Sequence, residues 1–76
     1  MNYQEIFSKR ISQLRKEKGL TLQRLADILE IKEPSVCAYE SGKTFPSAHN
    51  LIALSKHFSV SLDYLTGQTD NPEINK

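Results

Sequence analysis

The side chains best suited to binding chemistry in this 76-residue chain flank a glycine near its middle. Ser41, Lys43 and Thr44 surround Gly42. Two hydroxyls and an ammonium group are hydrogen-bond donors of the kind that hold an anionic oxygen, such as that of a phosphate. Among these three residues, Lys43 is the one we expect first at such a contact.

Catalytic and metal-binding groups form no convincing set. His49 and His57 stand eight residues apart without a cysteine or carboxylate at ligand spacing, so we interpret them as surface histidines. A triad that used Asp63 would need a cleft too large for so small a domain. The single cysteine, Cys37, cannot form an internal disulfide, and we interpret it as a passive small residue. We therefore predict no enzyme, no metal site and no cofactor.

Composition predicts one globular domain, with 38% hydrophobic and 25% charged residues. The net charge of +1 does not by itself indicate a nucleic acid partner. Its distribution is more informative: residues 1–43 hold eight Lys or Arg against six Asp or Glu, whereas residues 44–76 hold two against three. Neither a signal peptide nor a membrane anchor is expected, which favours a cytoplasmic location.

Two short helices must position the central polar residues. Thr21 can cap a helix that runs to Leu29, and the apolar face of this helix carries Leu25, Ala26 and Leu29. After a three-residue break, a second helix is predicted from Glu33 to Ser41, with Pro34 in its first turn and Gly42 at its end. Two short helices joined by such a turn form a helix-turn-helix, here at about residues 22–41.

Three further helices complete the predicted all-α domain. The first runs from Asn2 to Lys18 with Asn2 as its cap, the fourth follows Ser47, and the fifth runs from Leu62 to Thr66. Residues 1–67 form the predicted domain, and residues 68–76 a flexible tail. The residues expected in the core are Phe7, Ile11, Leu14, Leu25, Ala26, Leu29, Val36, Tyr39, Leu51, Ile52, Leu54, Phe58, Leu62 and Leu65.

A series of further motifs runs in register with these helices between residues 6 and 67. They are Arg15-Lys16, Lys18 to Thr21, Leu25-Ala26, Ile31, Val36, Tyr39-Glu40, Gly42-Lys43, Pro46, Leu51, Leu54, Phe58, Val60 to Asp63 and Leu65. In this pattern the chain resembles the phage Cro and repressor family of helix-turn-helix regulators, the XRE family. The resemblance implies a compact five-helix bundle of the phage-repressor DNA-binding type. It also implies a transcriptional regulator, a repressor, that binds an inverted-repeat operator on double-stranded DNA as a homodimer.

The resemblance assigns roles to particular positions. Those matching Glu33, Pro34 and Ala38 meet base edges in the major groove in this family. Chemically, Glu33 can accept from cytosine N4 and the other two can touch thymine methyl groups, although Glu33 is equally well explained as a carboxylate that favours the helix dipole. The full set of expected DNA contacts is Thr21, Gln23, Lys32, Glu33, Pro34, Ser35, Ala38, Ser41, Lys43 and Thr44.

Structural roles follow in the same way. The family counterparts of Arg15 and Glu40 form an ion pair, so we expect this pair to fix the first helix against the third. Tyr64 either contacts the second subunit of a dimer or covers the edge of the core. Lys9 and Arg10 lie either on a solvated surface or within reach of a DNA phosphate.

Three departures from the family pattern leave a second function open. Leu22 replaces a frequent phosphate-binding Gln, Glu30 a frequent Gly in the turn, and Lys32 a frequent Ser or Thr cap. With the small net charge, they favour a protein-interaction module of the same fold, of the antitoxin or anti-repressor type, with weak or no specific DNA binding. A controller protein of a restriction-modification system would share the chemistry of the DNA-binding interpretation.

Overall fold

Five helices follow one another along the chain in the computed structural model, which describes residues 2–73. They are α1 Tyr3–Glu17, α2 Leu22–Leu29, α3 Glu33–Ser41, α4 Ala48–Phe58 and α5 Leu62–Leu65. Residues 2–73 contain no strand, and the helices pack into one compact body, so the predicted all-α five-helix fold is confirmed. Within the same residues, no helix combines the length and hydropathy that crossing a bilayer requires.

Side-chain caps begin four of the five helices. Asn2, Thr21, Ser47 and Ser61 each accept a hydrogen bond from the backbone N–H three residues on, at 2.9, 3.0, 3.3 and 3.0 Å. Such a bond satisfies one of the amides that a helix start leaves without a partner. Helix α3 lacks this device because Lys32 makes no capping bond, and it begins instead with Pro34 and Glu33 in its first turn.

The turn between α2 and α3 requires a left-handed residue, and Glu30 adopts this conformation with φ 59° and ψ 42°. A side chain in that conformation costs about 1 kcal/mol relative to glycine. The turn is closed by backbone bonds from the Glu30 amide to Asp27 O at 3.2 Å and from the Ile31 amide to Ala26 O at 3.0 Å. Glu30 thus adopts at some cost a conformation that the Gly frequent at this position in the family would adopt freely.

The core takes residues from all five helices and from Val60 before α5. Its buried members are Phe7, Ile11, Leu25, Ala26, Leu29, Val36, Tyr39, Leu54, Phe58, Val60 and Leu65. Two predicted members are wrong, since Ile52 is 44% exposed and Leu62 is 40% exposed. Ile52 lies one residue off the stripe of Leu51, Leu54 and Phe58, and that step turns it away from the core.

Residues 68–73, which the sequence assigns to a flexible tail, contact the helices. The Arg10 guanidinium donates to the carbonyl oxygen of Tyr64, to Thr69 O at 2.8 Å and to Asp70 Oδ1 at 2.8 Å. The Ser61 amide donates to Pro72 O at 2.9 Å. The Arg10 side chain is therefore not solvated, so that interpretation is wrong, while its contact with a DNA phosphate stays a prediction. Residues 74–76 of the predicted tail lie outside the described residues.

Candidate nucleic-acid interface

Helices α2 and α3 are locked together by their buried faces, which leaves one side of α3 facing outward. Leu25, Ala26 and Leu29 on α2 are buried, as are Val36 and Tyr39 on α3. The outward residues Glu33, Pro34, Cys37, Ala38, Ser41 and Lys43 line one shallow, open depression. The structure thus brings the three predicted base-reading residues together with the predicted phosphate contact. We call this depression the α3 surface.

The middle of the α3 surface is apolar and its ends carry opposite charges. Pro34, Cys37 and Ala38 offer small carbon or sulfur surfaces, and Cys37 is exposed. Glu33 lies at the beginning of the helix and Lys43 beyond its end. A surface of this kind can contact a methyl group through its centre, accept a hydrogen bond at Glu33 and attract an anion at Lys43.

The loop after α3 is built to expose Lys43 and Thr44. Gly42 ends the helix at φ 81°, and the amides of Lys43 and Thr44 then both donate to Ala38 O, at 3.0 and 3.3 Å. Both side chains are exposed, and that of Lys43 makes no ion pair with any residue from 2 to 73. The Ser41 hydroxyl also points back to Ala38 O, at 3.2 Å. The loop therefore presents an available ammonium group on an ordered backbone.

The remaining predicted contacts do not line the depression. Thr21 Oγ1 is occupied by the Arg24 amide, and Gln23 Nε2 donates to Asp27 Oδ1 at 2.9 Å on the same helix. Lys32 is exposed and Ser35 is half-buried at the beginning of α3. Leu22, at the position where the family often has Gln, is half-buried and packs against the core.

Arg15 and Glu40 form an ion pair behind the α3 surface. Arg15 Nε lies 2.6 Å from Glu40 Oε2 and Arg15 Nη2 lies 3.2 Å from Oε1, while Nη1 donates to Leu20 O at 2.8 Å. Both side chains are nearly enclosed, at 13% and 12% exposure. The hydrogen bond to the Glu40 carboxylate raises the pKa of Arg15 above its ordinary value, so the guanidinium stays charged. The pair joins α1 to α3 and to the residues before α2.

Tyr64 on α5 is half-buried, and the Arg10 guanidinium lies 4.2 Å from the centroid of its ring. One face of the ring is thus covered by a cation from the same chain. Leu62, at the beginning of α5, faces solvent instead.

Two polar residues of α1 contact the end of α3 without having been recognised in the sequence. Gln4 Nε2 donates to Gly42 O at 2.8 Å. Ser8 is 6% exposed, and its hydroxyl lies 2.8 Å from Tyr39 O and 2.9 Å from Gln4 O. The available signal was the position of Ser8, three residues before Ile11 on the apolar face of α1.

A pair of short helices locked by a core, with the second helix and its basic loop exposed, defines a helix-turn-helix domain. The model of the helix-turn-helix family matches residues 11–65, and the chain belongs to this family, in its phage-repressor-like XRE branch.

Two curated relatives and one solved structure illustrate the similarity. The chain is 41% identical over 69 residues to the uncharacterized HTH-type transcriptional regulator YqaE of Bacillus subtilis (strain 168), a match that covers 91% of this chain and 60% of that protein. It is 39% identical over 59 residues to the HTH-type transcriptional activator BcrR of Enterococcus faecalis, covering 78% of this chain and 29% of BcrR. It superposes on the P22 c2 repressor bound to synthetic operator 9T with a TM-score of 0.79 and 28% identity, over 84% of this chain and 97% of that one. The chain therefore spans about three fifths of YqaE and less of BcrR.

Proposed function

We propose that this chain is a sequence-specific DNA-binding transcriptional regulator that inserts α3 into the major groove of double-stranded DNA. The observation that carries the proposal is the α3 surface, which joins Glu33, Pro34 and Ala38 to Lys43 on one exposed side of the molecule. The similarity to a repressor that was solved with its operator supports it. No step of this function requires a catalytic group or a cofactor.

The proposed contacts divide by chemistry. Lys43, Ser41 and Thr44 bind backbone phosphates and fix the position of α3 along the duplex. Glu33 accepts from cytosine N4, while Pro34 and Ala38 contact thymine methyl groups, so these residues select the sequence. The flanking contacts that we propose at the beginnings of the two helices are Thr21, Gln23, Lys32 and Ser35.

We further propose that two copies bind an inverted-repeat operator in the cytoplasm and repress transcription there. The sign of regulation follows P22 c2, a repressor, whereas BcrR is an activator. The second copy would meet the first near α5, where Leu62 offers exposed apolar surface beside Tyr64.

Enrichment on a random duplex library at near-physiological salt tests the DNA-binding proposal. Recovery of an inverted repeat, with pyrimidines at the positions facing the α3 surface, is the expected result. Weak, salt-sensitive retention without any enriched sequence would contradict it and favour the protein-interaction module.

Lys43→Ala tests the proposed phosphate contact on the recovered site. Loss of one phosphate contact in each copy should weaken binding to specific and non-specific duplexes alike and reduce the slope of log K against log salt by about 1 for each bound copy. Lys56→Ala is the matched control, because Lys56 is an exposed lysine in the last turn of α4, outside the helix-turn-helix. An unchanged slope for Lys43→Ala, or an equal change for Lys56→Ala, would remove Lys43 from the interface.

A further inference from the structure

The first two turns of α1 hold the Lys43–Thr44 segment from both sides. On the N-terminal side of this segment, Gln4 Nε2 donates to the carbonyl of Gly42, the residue immediately before Lys43, at 2.8 Å. On its C-terminal side, the ring of Phe45 packs edge-on against the rings of Tyr3 and Phe7, with centroids 5.1 Å apart in each pair. The two exposed residues of the loop are therefore bracketed by contacts with one helix.

Ser8 adds a second contact on the N-terminal side of the loop, between α1 and the end of α3. Its hydroxyl carries one proton and lies within hydrogen-bond distance of two acceptors, Tyr39 O and Gln4 O. A buried hydroxyl is costly unless it is bonded, so its place between α1 and the end of α3 indicates a specific contact. A Cβ atom at Gly42 would lie 3.4 Å from Ser8 Oγ, which shows how closely α1 approaches the loop.

The order of the loop matters because binding a phosphate immobilises any contacting residue that is flexible in the free protein. Holding a flexible segment in place costs conformational entropy for each backbone residue that is fixed. A loop that is already ordered in the free protein avoids that cost and brings its ammonium group to a defined place. Gln4 supplies such order without itself lying on the α3 surface.

We propose that Gln4 is a positioning residue of the DNA interface, holding the loop after α3 so that Lys43 and Thr44 meet a backbone phosphate. The proposal rests on the proposed function, since it assigns a role within that same interface. It adds a residue of α1, 39 positions before Lys43, to the determinants of affinity.

Gln4→Met removes the donor and keeps the length of an unbranched side chain. Loss of one hydrogen bond that orders the contact should raise the Kd for the operator about three- to tenfold, with the preferred sequence unchanged. In the Lys43→Ala background the same substitution should have a smaller effect, because only the Thr44 contact remains to be positioned. Gln13→Met is the control, since Gln13 is an exposed α1 residue whose amide donates to Glu17 on the same helix.

A second measurement uses the free protein. Gln4→Met should accelerate hydrogen exchange of the Lys43 and Thr44 amides, both of which donate to Ala38 O, and leave exchange in α2 unchanged. Unaltered exchange, or an equal loss of affinity in both backgrounds, would overturn the positioning role. If the wild-type protein binds no duplex specifically, the proposed function fails. The exchange measurement still tests Gln4 in that case. Unaltered exchange would overturn its role, and faster exchange would retain it as an ordering contact of the loop.

Discussion

Arg15 and Glu40 illustrate how a single pair of residues holds the α3 surface in place. A guanidinium or a carboxylate that is almost enclosed is costly alone, and the two are tolerated here because each satisfies the other through two hydrogen bonds. The additional bond from Arg15 to Leu20 O extends the pair to the residues before α2. Since the pKa of Arg15 is raised, its share of the stability persists at neutral pH and is lost only when the pH rises above the ordinary pKa of a guanidinium.

Arg15→Met and Glu40→Met should each lower the free energy of unfolding by about 2–3 kcal/mol, because each leaves an enclosed charge without its partner. The double variant should lose clearly less than the sum of the two, since it removes both charges together. Urea unfolding of the four proteins measures this coupling. Strictly additive losses would mean that the two side chains stabilise the fold independently.

The residues that sequence analysis missed share a physical reason. Gln4 and Ser8 bond to backbone carbonyls that lie 38 and 31 positions away. Every residue carries a carbonyl, so nothing in the sequence marks which one will be the acceptor. Thr21 and Ser61, by contrast, cap amides three residues on, and such local bonds can be predicted from the sequence.

At the scale of elements, helix ends were predicted well and helix faces less well. The ends depend on caps, a proline and left-handed residues, all of which act locally. The exposed side of α4 depends instead on which neighbours cover it, and Ile52 is apolar without being covered. Helix α5 has four residues, and Leu65 enters the core while Leu62 does not. A helix of a single turn is too short for its sequence pattern to indicate which face is buried.

The end of α5 allows a sharp test of packing between elements. Gly67 has φ 82°, and a Cβ added there would lie 2.6 Å from Cδ1 and 2.9 Å from Cγ2 of Ile6 on α1. Gly19 has a similar φ of 69° but no neighbour within 4 Å of an added Cβ. Gly19→Ala should therefore lower the free energy of unfolding by about 1 kcal/mol, through backbone strain alone. Gly67→Ala should lower it further, because Ile6 must also be displaced.

Thermal unfolding of both glycine variants measures the difference. Gly67→Ala should lower the unfolding temperature less in an Ile6→Ala background than in the wild type, because the smaller side chain leaves room for the new methyl group. Equal destabilisation by Gly67→Ala and Gly19→Ala would show that α5 does not depend on close contact with Ile6.

At the scale of the whole molecule, size constrains the way in which an inverted repeat can be read. The Cα atoms of one copy extend 30 × 24 × 22 Å, while successive major grooves on one side of B-DNA are about 34 Å apart. One copy carries one α3 surface and so reads one half-site. We propose that two copies on successive grooves touch through their α5 regions.

Changing the spacing between half-sites tests that arrangement. Inserting about 5 base pairs turns one half-site to the opposite side of the duplex, so affinity should fall to that of a single half-site. Inserting about 10 base pairs restores the side but adds about another 34 Å, more than the longest dimension of one copy, so cooperative binding should not return. Titrations on the three duplexes, with an isolated half-site as reference, measure both effects. Equal affinity for all spacings would mean that each copy binds alone.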